Sequence, residues 1–539
     1  MLGSTKSALQ SGAEPSWLYS HWVLIWLALV SVVGLGFSTP LFDVDEGAFT
    51  EATREMLASG NWVSTYLNGE PRHDKPILIY WLQAVSASVF GLSEGALRLP
   101  SMLAAGAWIA LMYGFARQFF GRHAAVIAVW VLAGNWLTTV IFKAAIADAL
   151  LNALLCWAVF AVYRYLQAPS TAKLFNCGLA IGLGFLTKGP VAIVLPLGSA
   201  FIALLLVGRL REFWPAVLHP AAWLTVLVIV IPWHVASYFD QGTAFFEGFY
   251  LGHNLGRFSD TMESHGGQLW YYAVMMPLIV LPFVAWLPGL LLEGLRVLRA
   301  REDLLRIYLW VWFLITFAVF SVSKTQLPHY LLYGMTPIFI MLADRVAQDH
   351  SVVRWRSLPG FLFVLLFALL FALFPLALPY VATKDAYLAA TLALGQHVFF
   401  DNLIAISALV ALLGLASVAV LWRPVGRVSL LFSAAVLVLV VNFIAMPIVA
   451  GAQQGPVKQA GLIASVMPSS QPLVAWRVRM PSFSVYAQRI VPNQQPVAGD
   501  VVFTRINKLG QIRALNSAYT VNVLFSQGGI VLAKVELQE

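Results

Sequence analysis

Five stretches of this 539-residue chain bring together residue types that can do chemistry. The first is Asp43-Val44-Asp45-Glu46, three acids in four residues. Such carboxylates can take a proton from a nucleophile or hold a sugar hydroxyl. The same pattern also suits a solvated loop in which Asp45 caps a following helix and Glu46 favours its N-terminal dipole. The second stretch is Arg72-His73-Asp74-Lys75-Pro76. There Lys75 either snorkels to lipid headgroups or holds a phosphate as a point charge, and Pro76 sets the start of a helix. Third, Asp148 falls beside apolar runs, where a carboxylate is costly and marks a functional position unless a cation such as Lys143 pairs with it. Fourth, Glu247, His253, Asn254, Arg257, His265 and Trp270 are interleaved with Phe245, Phe246, Phe249, Tyr250 and Phe258. That mixture is either an interfacial aromatic belt or a sugar site in which ring faces cover C–H surface. Fifth, Ser323-Lys324-Thr325-Gln326-Leu327-Pro328-His329-Tyr330 offers Lys324 and Tyr330 as membrane anchors or as a second clamp on a phosphate.

The elements that must position these groups are membrane helices. Hydrophobic residues make up 60% of the chain, charged residues only 11%, and the mean hydropathy is +0.79. A soluble globule has about a quarter of its residues charged. The net charge of +8 is spread singly between apolar runs rather than gathered in a patch, which excludes a nucleic-acid partner. Cys156 and Cys177 make neither a disulfide framework nor a metal site.

Runs of about 20 apolar residues predict thirteen spans, near 21–38, 99–116, 124–142, 147–166, 175–187, 190–208, 220–237, 269–293, 307–322, 329–344, 358–380, 401–421 and 428–449. The first is a retained helix rather than a cleaved signal, since no small-residue cleavage site follows it. The apolar stretch 76–91 is read as a helix lying on the membrane surface, because making it a span would send most Lys and Arg of the short loops outside. Residues 1–450 then form a transmembrane unit with long outer loops at 39–98 and 238–268. In the first loop a helix is expected from Glu46 to Ala58, stopped by Ser59-Gly60. Residues 451–539 are expected to form a small outer α/β domain, with a helix at Pro456–Val466 and strands at Leu473–Val478, Val501–Ile506, Thr520–Leu524 and Ile530–Val535. Under this topology every candidate group lies on one face of the membrane.

Those residues, in order, resemble the GT-C glycosyltransferases of the protein O-mannosyltransferase type, and within them the bacterial lipid A 4-amino-4-deoxy-L-arabinose transferase family. The likeness runs over about 20–450. It is carried by Asp43-Val44-Asp45-Glu46, Glu51, Arg54 through Trp62, Leu67-Asn68-Gly69, Asp74-Lys75-Pro76, Tyr80-Trp81, Ala96 through Pro100, Phe185 through Pro190, Asn254, Arg257-Phe258 and Leu327-Pro328-His329-Tyr330. The resemblance implies a polytopic helical membrane fold of about 13 spans with a soluble C-terminal domain. It implies that Asp45 is the essential loop aspartate and Asp148 a second acid beside the cavity. Lys75, Arg257 and Tyr330, with Lys324, then hold the carrier phosphate, while Asp43, Glu46, Arg54, Asn254 and His329 contact substrate. Asp74 and His253 mark a position where a divalent metal could bind, although the chemistry requires no cofactor.

The expected function is transfer of a sugar, such as aminoarabinose, from a polyprenyl (undecaprenyl) phosphate donor to lipid A or another envelope acceptor. The reaction is expected to be one inverting displacement by a monomer in the bacterial inner membrane, its site facing the periplasm. A protein O-glycosyltransferase or other envelope-glycan transferase uses the same architecture. A lipid or ion transporter is the alternative of a different class, and it would need charges deep in several spans or paired broken helices.

Overall fold

The computed structural model describes residues 20–256, 267–349, most of 360–407, and 426–538. Its membrane part is a bundle of apolar helices. Five described helices are long and apolar enough to cross a bilayer: Glu94–Ala133, Asp148–Gln167, Pro220–Gln241, Leu304–Val322 and Leu430–Gln453. A sixth span arises if Tyr271–Ile279 and Phe283–Ala300, bent by 116°, count as one. His21–Val32 (α1) and Val191–Leu206 are shorter apolar helices. The expected span at 401–421 falls largely outside the described residues, and that at 358–380 falls partly outside them. Helix Glu94–Ala133 covers two expected spans and breaks at Gly121, whose φ of 89° is non-helical. The fold is thus that of a polytopic helical membrane protein.

Lipid-facing surfaces are plain in the exposed side chains. Helix Pro220–Gln241 turns Leu224, Leu227, Val228, Ile231, Val235 and Phe239 outward, which no water-facing helix would tolerate as a contiguous stripe.

Two helices before the long bundle set up the site. Asp45–Ser59 (α2) ends at Gly60 in the left-handed conformation, as the Ser-Gly stop requires. Leu78–Phe90 (α3) is 13 residues long, too short to span. It buries Ile79, Tyr80, Gln83 and Ala84 while Leu82, Val85, Val89 and Phe90 remain exposed. That is the division expected of a helix resting on a membrane surface. Between them Tyr66–Leu67 (β1) and Glu70–Pro71 (β2) form a small antiparallel hairpin. Helices α2 and α3 pack on each other, joined by Thr53 Oγ1 donating to Gln83 Oε1 at 2.8 Å.

The C-terminal strands Leu473–Ala475 (β3), Val501–Arg505 (β4), Tyr519–Gln527 (β5) and Ile530–Leu537 (β6) form one sheet in the order β3-β4-β6-β5, with β3 parallel to β4 and the other pairs antiparallel. Helices Gly455–Ser465 and Ser482–Ala487 pack over an apolar core containing Val457, Ala460, Phe483, Phe503 and Leu532. Phe483 stacks flat on Phe503, ring centroids 3.8 Å apart. This unit is seated on the first long loop. Ser482 donates to Asp43, Tyr486 accepts from the Leu41 amide at 2.8 Å, and Lys458 pairs with Glu94. Gly47 permits the seating, since a Cβ there would lie 2.0 Å from Asp43 Oδ1 and 2.6 Å from the Ser482 amide.

Candidate active site

Successive residues on a helix point about 100° apart, so the adjacent acids at the start of α2 face different surroundings. Glu46 is buried and forms a bidentate pair with the equally buried Arg98, at 2.8 and 2.7 Å. Arg98 also donates to the carbonyls of Gly36, Thr39 and Pro40, and Glu46 accepts from the amides of Phe42 and Ala145. Every polar atom of the pair is used, which is what a buried ion pair needs. Asp45, by contrast, is exposed. It makes no capping hydrogen bond, and the residue in the N-cap position is Val44. The capping role that the sequence allows for Asp45 is not used.

Asp45 lines a polar hollow of about 370 Å³ together with Phe49, Arg72, Asp74, Lys75, Ile146, Asp148, Lys188, His253, Thr325, Leu327, His329, Tyr330 and Arg479. These come from α2, the segment before α3, the starts and ends of bundle helices, and the C-terminal unit. An apolar groove of about 510 Å³ opens beside it, walled by Pro190, Val191, Val194, Leu195, Phe249, Tyr250, Leu251, Val319 and Phe320. Lys75, Lys188, His253 and Tyr330 line both cavities. A greasy channel therefore ends at two ammonium groups, an imidazole and a phenol, and the polar hollow begins there.

Charges in the hollow are arranged in pairs. Lys188 donates to Asp148 Oδ1 at 2.9 Å and to the Tyr333 hydroxyl, which itself donates to Asp148. His329 Nε2 stands 3.6 Å from the same carboxylate oxygen. The Lys188 ammonium also lies 5.0 Å from the Tyr330 ring centre and 4.8 Å from that of Tyr333, within cation–π range. Lys143, the partner that sequence proximity offers Asp148, instead donates to the Thr139 carbonyl and hydroxyl. Lys188 wins because it ends the helix Thr171–Lys188, where Gly189 at φ 76° turns the chain and Pro190 starts Val191–Leu206. Lys75 donates to the Asp74 carbonyl at 3.0 Å and is bonded to His253 Nε2. Arg72 Nε donates to Asp74 Oδ2 at 3.2 Å.

Several expected site residues stand elsewhere. Arg54 is buried and bidentate to Glu51, at 2.8 and 2.7 Å, and burial pushes the Glu51 carboxyl up to about 8 despite that partner. Arg54 and Lys324 are not among the residues lining either cavity, and Lys324 is exposed. Asp43 accepts from the Ser482 amide and hydroxyl, with its carboxyl raised to about 7 by burial against the lowering effect of those bonds. Asp43 and Glu46 face a separate cavity of about 190 Å³, which shares Asp45, Ile146 and His329 with the hollow. Arg257 and the Asn254 side chain lie outside the described residues. Asp74 Oδ1 and His253 Nδ1 are 4.0 Å apart, but no group of three His, Cys, Asp or Glu gathers around a metal position among the described residues. His253 Nε2 is bonded to Lys75, so the second ring nitrogen is the one turned toward Asp74.

Sequence reasoning missed Arg72, Lys188, Tyr333 and Arg479 as site residues. Arg72 and Lys188 sit in quoted motifs, so their signal was present. Nothing local marks Tyr333 or Arg479.

Comparison with known proteins agrees with this architecture. The family model described as dolichyl-phosphate-mannose-protein mannosyltransferase matches residues 74–235. A relative from Yersinia enterocolitica, named undecaprenyl phosphate-alpha-4-amino-4-deoxy-L-arabinose arabinosyl transferase, is 28% identical over 339 residues, covering 62% of this chain and 60% of the relative. The chain thus spans about 60% of the length of the curated relatives it matches. The crystal structure of ArnT from Cupriavidus metallidurans bound to undecaprenyl phosphate superposes with a TM-score of 0.74 at 21% identity, covering 95% of this chain and 96% of that one. The apo form of the same protein gives 0.70 at 22% identity, with coverage of 96% and 98%. This chain is a membrane protein of the GT-C glycosyltransferase fold, ArnT-like in its architecture and related in sequence to the aminoarabinose transferases.

Proposed function

We propose that the protein is a glycosyltransferase that moves a sugar from undecaprenyl phosphate to lipid A at the periplasmic face of the inner membrane. One observation carries this reading: the apolar groove and the polar hollow meet at Lys75, Lys188, His253 and Tyr330, with Asp45 on the hollow's wall. A polyprenyl chain fits the first environment, its phosphate the junction, and its sugar the second. The named activity of the Yersinia relative and the lipid bound by the Cupriavidus protein support the same assignment.

The reaction is a single displacement. The bond from the anomeric carbon to the carrier phosphate breaks, the electron pair leaves on the phosphate, and an acceptor oxygen bonds from the opposite side with inversion. Lys75 and Lys188 offset the charge that grows on the leaving phosphate, the electrostatic contribution that usually dominates such catalysis. The buried Asp148 carboxylate holds the Lys188 ammonium in place. Asp45 takes the proton of a hydroxyl acceptor. For an acceptor that is already an ionised phosphate, Asp45 orients the sugar hydroxyls instead.

Purified protein in liposomes with undecaprenyl phosphate-aminoarabinose and lipid A should yield modified lipid A by mass spectrometry. Asp45→Asn and Lys75→Ala should each abolish the product while the protein remains folded. Near-normal turnover in both variants would reject this site. Product on a protein hydroxyl, with none on lipid A, would move the assignment to a protein O-glycosyltransferase, as the family model over 74–235 would then favour.

A further inference from the structure

The cavity of about 190 Å³ has no part in the reaction as described so far. Asp45, Ile146 and His329 line both it and the hollow, whereas it shares no lining residue with the apolar groove. The three spaces therefore follow one another: groove, hollow, second cavity. Thr39 and Phe42 wall it from the first long loop, Val140 and Ile141 from the helix Trp136–Ile141, and Met446 from the span Leu430–Gln453.

Most of the charge on these walls is already committed. Asp43 accepts from Ser482, and Glu46 is paired with Arg98. Lys143 is different. It is 4% exposed, lines the cavity, and has no ion-pair partner among the described residues. Its Nζ donates to the Thr139 carbonyl and, at 3.2 Å, to the Thr139 hydroxyl. An ammonium carries three N–H donors, so one is left for a guest, and a buried cation without a complete set of acceptors is costly. The group is also held in place. The Thr139 hydroxyl donates to the Ser31 carbonyl and accepts from Asn442 Nδ2, both at 2.9 Å, which ties it to α1 and to the span Leu430–Gln453. At the wall shared with the hollow, the exposed Asp45 carboxylate likewise has no hydrogen-bond partner among the described residues.

We propose that this cavity is a sugar-ring subsite, in which Lys143 donates to a hydroxyl oxygen of the ring and Asp45 accepts from another substituent of the same ring. The proposal rests on the function given above and names how its site recognises sugar. A guest here must accept at one end and donate at the other. A lipid chain does neither, and a phosphate would set its charge against Asp45. A sugar ring does both through its hydroxyls. The volume lies below the roughly 300–1,000 Å³ of pockets that bury larger ligands, which limits the guest to one ring-sized group. The polarity also fixes the ring's orientation: an oxygen faces Lys143, and a hydroxyl or an ammonium faces Asp45. The ring comes either from the donor or from the saccharide head of lipid A.

The experiment uses the full chain in liposomes and three probes, each offered alone: undecaprenyl phosphate, undecaprenyl phosphate-aminoarabinose and lipid A. Lys143→Met should bind undecaprenyl phosphate within twofold of the unmodified protein and at least one sugar-bearing probe at least tenfold more weakly. Lys143→Gln keeps an N–H donor and should recover part of that loss. A loss on the sugar-loaded carrier with a raised donor KM assigns the ring to the donor. A loss on lipid A with a raised acceptor KM assigns it to the acceptor. Unchanged binding of both sugar-bearing probes, or an equal loss for all three, would overturn the subsite while leaving the proposed function standing. If the unmodified protein binds the probes and transfers nothing, the proposed function fails, and the binding comparison still decides the subsite. Failure of the unmodified protein to bind either sugar-bearing probe would overturn both.

Discussion

Asp45 and Glu46 are neighbours in the chain and opposites in the structure. One is exposed on the wall of a polar hollow; the other is sealed behind it against Arg98. A second buried pair lies further along α2, where Glu51 and Arg54 hold each other inside the protein. The helix thus has a chemical edge and a structural face. Charge alone does not tell them apart, because both are built from acids and arginines. The difference lies in saturation: the structural pairs use their hydrogen-bonding capacity on one another and on backbone, while the hollow keeps groups turned toward space that a substrate can enter.

The sharpest test of that contrast is to neutralise each neighbour. Asp45→Asn should lower transfer by about 10²–10⁴-fold, the usual worth of a positioned proton acceptor, with the unfolding midpoint unchanged. A large drop in that midpoint would break the distinction. Arg98→Ala should do the reverse, costing about 3–5 kcal/mol of stability by stranding Glu46 in the interior. Thermal unfolding in detergent would show it. If Arg98→Ala kept its stability and lost only activity, the buried network would have to be reclassed as catalytic.

A third test lies between these two. Lys188→Met should reduce transfer by about 10²-fold as charge on the leaving phosphate loses a partner, and should also destabilise by leaving Asp148 uncompensated. Adding Asp148→Asn should restore much of the stability and none of the activity. A double-mutant cycle that restored both would deny Lys188 a role in chemistry.

The smallest effect concerns Asp43, at the seam between the first loop and the C-terminal unit. Its carboxyl is raised from 3.8 to about 7, chiefly by burial. A raised pKa means that the seated state retains a proton the separated state loses. Its contribution is full below about pH 4 and fades as pH rises through about 7. Protection of residues 482–487 from hydrogen exchange should therefore decline across that range, and Asp43→Asn should flatten the decline. A protection profile that rose with pH would reverse the sign and reject this account.

Much of the architecture was legible without coordinates. Apolar runs, the Ser59-Gly60 stop and the division between the spans near 99–116 and 124–142 each announce themselves locally, since a helix in lipid must satisfy its own backbone and be apolar along its length. The C-terminal strands also form where alternation places them. The site was legible in part. Asp45, Lys75, Asp148, His329 and Tyr330 do line one hollow. Arg54 and Glu46 were indistinguishable from them in sequence, because the direction of a side chain depends on helix phase and on what packs against it.

What the sequence by itself determined is the solvent: with 60% hydrophobic and 11% charged residues, the chain belongs in a bilayer, and its scattered polar motifs must gather at an edge. What only the tertiary structure decided is which charges meet. Lys188 reaches Asp148 across 40 residues while Lys143, five away, does not, and Arg479 joins the hollow from the far end of the chain. Pairing inside a protein is decided by which helix ends are brought together. Those junctions are set by packing summed over the whole bundle, and no local stretch of residues encodes them.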